Sequence, residues 1–171
     1  MRFFRTYIIS LCFYFIFYSH VQAQPSVVAT DQGDLKLIIV TSDSTDNIKK
    51  WFTTNNQDLI LHRIFVIKPN QLTTTTFLVT GLSVDEKNHY HFIINVYVLN
   101  SNNEPIWGEM NYANGQGILA NEKGIVIADP ALDFMLDETD PIGTYTIVAQ
   151  VTDVITGKKA ESSYNLTLEK E

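Results

Sequence analysis

Cysteine is nearly absent: the 171 residues contain one, Cys12. A disulfide scaffold, a cysteine-ligated metal centre and a thiol nucleophile are therefore excluded for everything beyond it. Basic charge is scarce as well, with 12 Lys+Arg against 19 Asp+Glu and a net charge of −7. Arg2 and Arg5 sit at the very start, so residues 24–171 carry ten basic against 19 acidic side chains, a balance of −9. Phosphate contact needs clustered Lys and Arg, and this surface repels phosphate, so no nucleic acid is expected as a partner. The signatures of common chemistry are missing too. There is no H-E-x-x-H, no phosphate-cradling glycine loop and no D-x-[DN]-x-[DN]-G calcium loop. Gly81-Leu82-Ser83-Val84-Asp85 lacks the second glycine of a nucleophile elbow. The expectation is a protein that is not an enzyme and has no cofactor. An enzyme of undefined type stays as an alternative, because any two of the carboxylates could meet in a fold.

What is present begins with a leader. Arg2 and Arg5 give a positive start, Tyr7–Tyr18 is an unbroken apolar stretch, and Val21 and Ala23 are small residues at the spacing signal peptidase reads. The apolar stretch is well short of the ~20 residues a membrane span needs. The pattern predicts a signal peptide over 1–23, cleaved near Ala23, a flexible lead-in over 24–33, and one domain over 34–171. No transmembrane anchor is expected after cleavage. The expected location is periplasmic or secreted, and a domain of this size buries enough surface to hold together without disulfides.

The domain reads as strands. Asp34–Val40 places Leu35, Leu37 and Ile39 on one face. Ser42–Thr54 is predicted as a short helix, because Ser44 or Thr45 can cap it and Ile48, Trp51 and Phe52 recur at i, i+3, i+4. Trp51 is expected to tuck against the sheet. Leu59–Ile67 and Thr74–Gly81 flank a turn at Lys68–Gln71, and the four threonines Thr73–Thr76 suit an exposed strand start. Tyr90–Val98 is apolar at period two, and Gly124–Ala128 and Ala131–Leu136 are short strands broken at Asp129-Pro130. Gly143–Asp153 and Ala160–Glu169 alternate apolar and polar residues around a Thr156-Gly157-Lys158 turn, which predicts an antiparallel hairpin. Seven to nine short strands with one short N-terminal helix predict an all-β, Ig-like antiparallel sandwich.

Asp140-Pro141-Ile142-Gly143-Thr144-Tyr145, followed by Val151-Thr152-Asp153, resembles the ending of many bacterial Ig-like and macroglobulin-like sandwich domains. There a turn with glycine precedes a strand tyrosine. The order of a Trp-bearing helix, a central strand pair, a trio like Trp107-Gly108-Glu109 and this ending resembles a set of small exported bacterial proteins of that fold. The resemblance implies fold and export, and brings no catalytic residues with it. Gly143 and Tyr145 are read as structural, with the Tyr145 hydroxyl bonding back to the preceding corner.

Three features could carry binding. Asn100–Glu122 reads as a long loop with Trp107, Met110 and Tyr112 set among Asn and Gly, and large aromatics on an adaptable loop are what interfaces use as anchors. An equal reading makes Ile106 and Trp107 the start of a short edge strand. His89 and His91 project from one strand face and could chelate a metal with His62 as third ligand, against the plainer reading of solvated histidines. Asp129, Asp133, Asp137, Glu138 and Asp140 form an acidic run, read first as a solvated edge that discourages strand pairing and second as a Ca²⁺ site. Together these predict an exported, non-catalytic interaction module with an envelope or extracellular protein partner, with an accessory subunit of a bacterial envelope assembly as one such role. The alternative is a periplasmic metal- or small-ligand-binding protein.

Overall fold

A computed structural model describes residues 35–43, 50, 63–119 and 124–170. Nine strands are described: β1 (Lys36–Ser42), β2 (Val66–Ile67), β3 (Thr73–Thr80), β4 (His89–Leu99), β5 (Pro105–Ile118), β6 (Val126–Ile127), β7 (Leu132–Phe134), β8 (Gly143–Asp153) and β9 (Lys159–Leu168). The leader, the lead-in, Trp51 and His62 lie outside the described residues. Of the predicted helix, Ser42 belongs instead to β1, Lys50 is helical, and residues 44–49 and 51–54 also lie outside.

The strands form two sheets. In one, β3 lies between β1 on one side and β6 and β7 on the other; the second runs β2-β9-β8-β4-β5. The order β9-β8-β4-β5 is the G-F-C-C′ order of an Ig-like sandwich, and β1, β3 and β7 supply its opposing A-B-E sheet. One pair departs from the antiparallel expectation: β2 runs parallel to β9, Val66 beside Thr167. The expected strand over 59–67 is correspondingly reduced among the described residues to Val66–Ile67. Arg63–Phe65 lies outside any strand, held by the Ile64 amide donating to the Thr41 carbonyl at 2.9 Å.

Period-two alternation builds the core. Phe92, Ile94, Val96 and Val98 of β4 face inward beside Ile147, Ala149 and Val151 of β8, and meet Ile39, Phe77 and Val79 of the opposing sheet. Each large apolar side chain so buried contributes about 1.5–3 kcal/mol. The β8–β9 hairpin holds register from Gly143–Leu168 to Thr152–Lys159 without a shift.

Two polar anchors fix its ends. At the start of β8 the buried Tyr145 donates its hydroxyl to the Pro141 carbonyl at 2.8 Å, a tyrosine corner closing the turn before the strand. Gly143 there has φ +142, and an added Cβ would meet the Ser101 Cβ at 2.7 Å, so the position excludes a side chain on both counts. At the far end the fully buried Asp153 accepts three backbone amides, from Ser83 at 2.8 Å, Ile155 at 2.9 Å and Thr156 at 3.1 Å. Its carboxylate therefore ties the β8–β9 turn to the loop after β3.

The threonine run is not an exposed start. Thr73–Thr76 are all buried, because β3 is the central strand of its sheet and both its faces are covered. Threonine suits such a site through its β-branched stem, provided its hydroxyl finds a partner. Thr75 shares a hydrogen bond with Thr41 at 2.8 Å, Thr73 donates to the Phe134 carbonyl, and Thr74 donates to Asp133. On the outer face Val40 and Leu78 form a second, smaller apolar cluster with Ile127.

Candidate functional site

Of the two readings of 100–122, a long loop or an edge strand begun at Ile106 and Trp107, the edge strand is the one found, and it is longer than expected. Pro105–Ile118 pairs with β4 for almost its whole length and forms the edge of the five-stranded sheet. Its glycines explain the loop reading. An added Cβ on Gly115 would lie 2.5 Å from the Phe92 ring, one on Gly108 2.5 Å from the Tyr97 ring, and one on Gly117 3.2 Å from the Tyr90 hydroxyl. Aromatics of β4 lie flat across these positions, so glycine marks close packing here and not a bend.

β5 has two unlike arms. Residues 113–118 continue the regular ladder opposite His89–Ile94, and their outer edge is met at Asn114, which exchanges backbone hydrogen bonds of 2.9 and 3.0 Å with Asp129. Between the arms, Met110, Asn111 and Tyr112 stand opposite the single residue Asn95. Asn111 takes the left-handed conformation, φ 55, and its amide donates to Asn95 Oδ1 at 2.8 Å. This bulge ends the ladder on one side and re-aims the chain. The other arm, Pro105–Glu109, pairs with Val96–Leu99 and has no strand on its outer side among the described residues.

The open arm shows apolar side chains on both faces. Trp107 lies opposite Val98, on the core side, 38% exposed, and packs edge-on to Tyr112 at 5.4 Å. Tyr112 in turn meets Phe77 at 6.4 Å and donates its hydroxyl to the Ala131 carbonyl at 2.9 Å. Burial raises the Tyr112 hydroxyl pKa, with the carboxylates of Asp133 and Glu109 adding to the shift. On the other face Ile106 is 49% and Met110 63% exposed, and Tyr97 donates its hydroxyl to Met110 Sδ at 2.9 Å. Trp107 and Tyr112 are thus brought together at the rim of the core, while Met110 joins Tyr97 on the outer face.

Tyr97 was not among the residues singled out from sequence, and Ile106 was read only as the start of an edge strand. Tyr97 lies on the face of β4 opposite the buried Phe92–Val98 set, and a glycine opposite an aromatic is the pattern that would have flagged it. Arg63 was missed too. Its guanidinium lies 5.3 Å from the Phe65 ring and 5.2 Å from the Tyr164 ring, and donates to the Ile39 carbonyl, joining the segment before β2 to β9 and β1.

His89 and His91 share the outer face of β4, opposite Ile118 and Gln116. His89 Nδ1 lies 3.2 Å from Asp85 Oδ2. Asp85 also accepts the amides of His89 and Lys87 on Oδ1, and the His89 amide foremost holds its pKa below the usual carboxylate value. Among the described residues no three His, Cys, Asp or Glu side chains converge as a metal site requires. In the acidic run, Asp133 accepts from Thr74, while Asp137 accepts from Thr139 and its amide donates to Asp140. These carboxylates organise a turn and a strand contact. No helix among the described residues is long and apolar enough to cross a membrane.

No protein-family model and no curated protein matches the chain. Solved structures do resemble it. The CARDB domain of a Pyrococcus furiosus protein, solved with di-metal ions, is 13% identical with a TM-score of 0.42, covering 83% of this chain and 100% of that one. A Niemann-Pick type C2 protein from the Japanese carpenter ant is 7% identical with a TM-score of 0.41, covering 84% and 99%.

Proposed function

We propose that this protein is an exported, non-catalytic interaction module that meets an envelope or extracellular protein through the open arm of β5. The observation that carries the reading is the contrast along one edge: Asn114 is tied to Asp129, while Pro105–Met110 is exposed and has no strand on its outer side among the described residues. Soluble domains blunt such edges with charge, and here only Glu109 is charged between Pro105 and Ile118. Large apolar residues exposed at an edge with so little charge are an interaction feature. The leader pattern at Arg2, Arg5 and Tyr7–Tyr18 supports export.

The test is cross-linking capture from cell-envelope fractions with three variants of confirmed fold. Ile106→Lys and Trp107→Ala are expected to lose the captured partner, and Val66→Thr at the opposite edge to keep it. A partner retained by both arm variants overturns the reading.

A further inference from the structure

Resting on that reading, we propose that the open arm takes an extended segment of a partner protein, flanked by Lys or Arg, as a sixth strand on the five-stranded sheet. The length of that segment is set by the fold. On one side the arm is bounded by the Asn100–Glu104 turn, where the Asn100 side-chain carbonyl accepts the amides of Asn102 and Glu104 at 2.9 Å each. On the other side stands the bulge at Asn111, and beyond it the Asn114–Asp129 bridge. Only Pro105–Met110 remains for pairing, and Pro105 lacks an amide to donate.

Side chains determine what can lie beside the arm. A strand laid along it meets Trp107 on one face and Met110 and Tyr97 on the other, with Ile106 exposed at the irregularity between Pro105 and Trp107, so both faces of the segment are apolar at its centre. Charge decides between a second copy of this chain and a different protein. No Lys or Arg occurs between Lys87 and Lys123, and Glu104 and Glu109 bracket the arm. An antiparallel pairing of two copies centred on Trp107 gathers Glu104 and Glu109 of both copies, and no cation, along one seam, which the repulsion among four carboxylates disfavours. A segment with cations at its ends meets the same carboxylates favourably. The net charge of −7 over the chain steers it in.

The probe is a blocked peptide, Lys-Val-Ile-Val-Ile-Val-Lys, apolar on both faces at its centre, added to the isotope-labelled protein and read by amide shifts and hydrogen exchange. Protection of amides within Ile106–Met110 is expected. The Glu-flanked counterpart is expected to bind about five- to tenfold more weakly, and a Lys-flanked peptide N-methylated at alternate residues not to bind. Equal binding of Lys- and Glu-flanked peptides, retained binding after N-methylation at either alternate set, or no protection of the arm at millimolar peptide overturns the proposal. So does a concentration-dependent dimer in ultracentrifugation that Ile106→Lys disperses. If envelope capture depends on the arm while N-methylation is tolerated, the interaction module stands and strand addition fails.

Discussion

Two long antiparallel pairs share one sheet and behave differently. The β8–β9 hairpin keeps an unbroken register, alternates buried and wet residues, and is pinned at its ends by Tyr145 and Asp153. The β4–β5 pair is interrupted twice, leans on glycines under aromatics, and leaves its outer strand largely exposed. The first pair is a structural frame. The second trades regularity for an edge on which something else can act. β4 belongs to both frame and edge, its inner face in the core and its outer face carrying Tyr97 against the open arm.

The contrast can be broken from the frame side first. Asp153→Ala removes a fully buried carboxylate that accepts three part-buried amides and is expected to cost about 4 kcal/mol, measured by urea unfolding. A loss under about 1 kcal/mol would show that the turn amides find other partners and that the frame does not depend on this end. Next comes the closed arm. Gly115→Ala drives a Cβ into the fully buried Phe92, which has no room to yield, and is expected to cost about 2 kcal/mol. The smallest effect belongs to the open arm: Gly108→Ala presses on Tyr97, which is 36% exposed and can swing outward. A cost below about 1 kcal/mol is expected, again from urea midpoints. Equal costs at Gly115 and Gly108 would erase the distinction between the two arms.

Legibility followed the same division. The hairpin could be read from sequence because one wet and one buried face impose strict alternation, and a Gly-bearing turn sits between the strands. The inner face of β4 was equally plain for that reason. β5 was half legible: an edge strand starting at Ile106 and Trp107 stood level with a loop, because edge exposure removes alternation and its glycines serve neighbouring rings that no local pattern reveals. The buried threonines were misjudged on similar grounds: whether Thr73–Thr76 face water depends on β3 being central, which is a property of the topology. Trp107 and Tyr112 were visible as aromatics in polar company, but their packing against one another rests on Tyr112 reaching the Ala131 carbonyl across the sandwich. Arg63 gave no sequence signal that decided its place, since only Phe65 is local to it and its second ring, Tyr164, comes from β9.

The Asn114–Asp129 bridge has a mechanical consequence. Interstrand hydrogen bonds run across the strands, so tension along a strand loads many together, while tension across them loads one at a time. A partner tugging sideways on Pro105–Met110 would peel the open arm from β4 bond by bond. At Asn114 the peel meets a residue tied on both sides, to β4's neighbour ladder and to the segment between β6 and β7. The bridge is a rip-stop: it lets the edge give way without letting the tear run into the core.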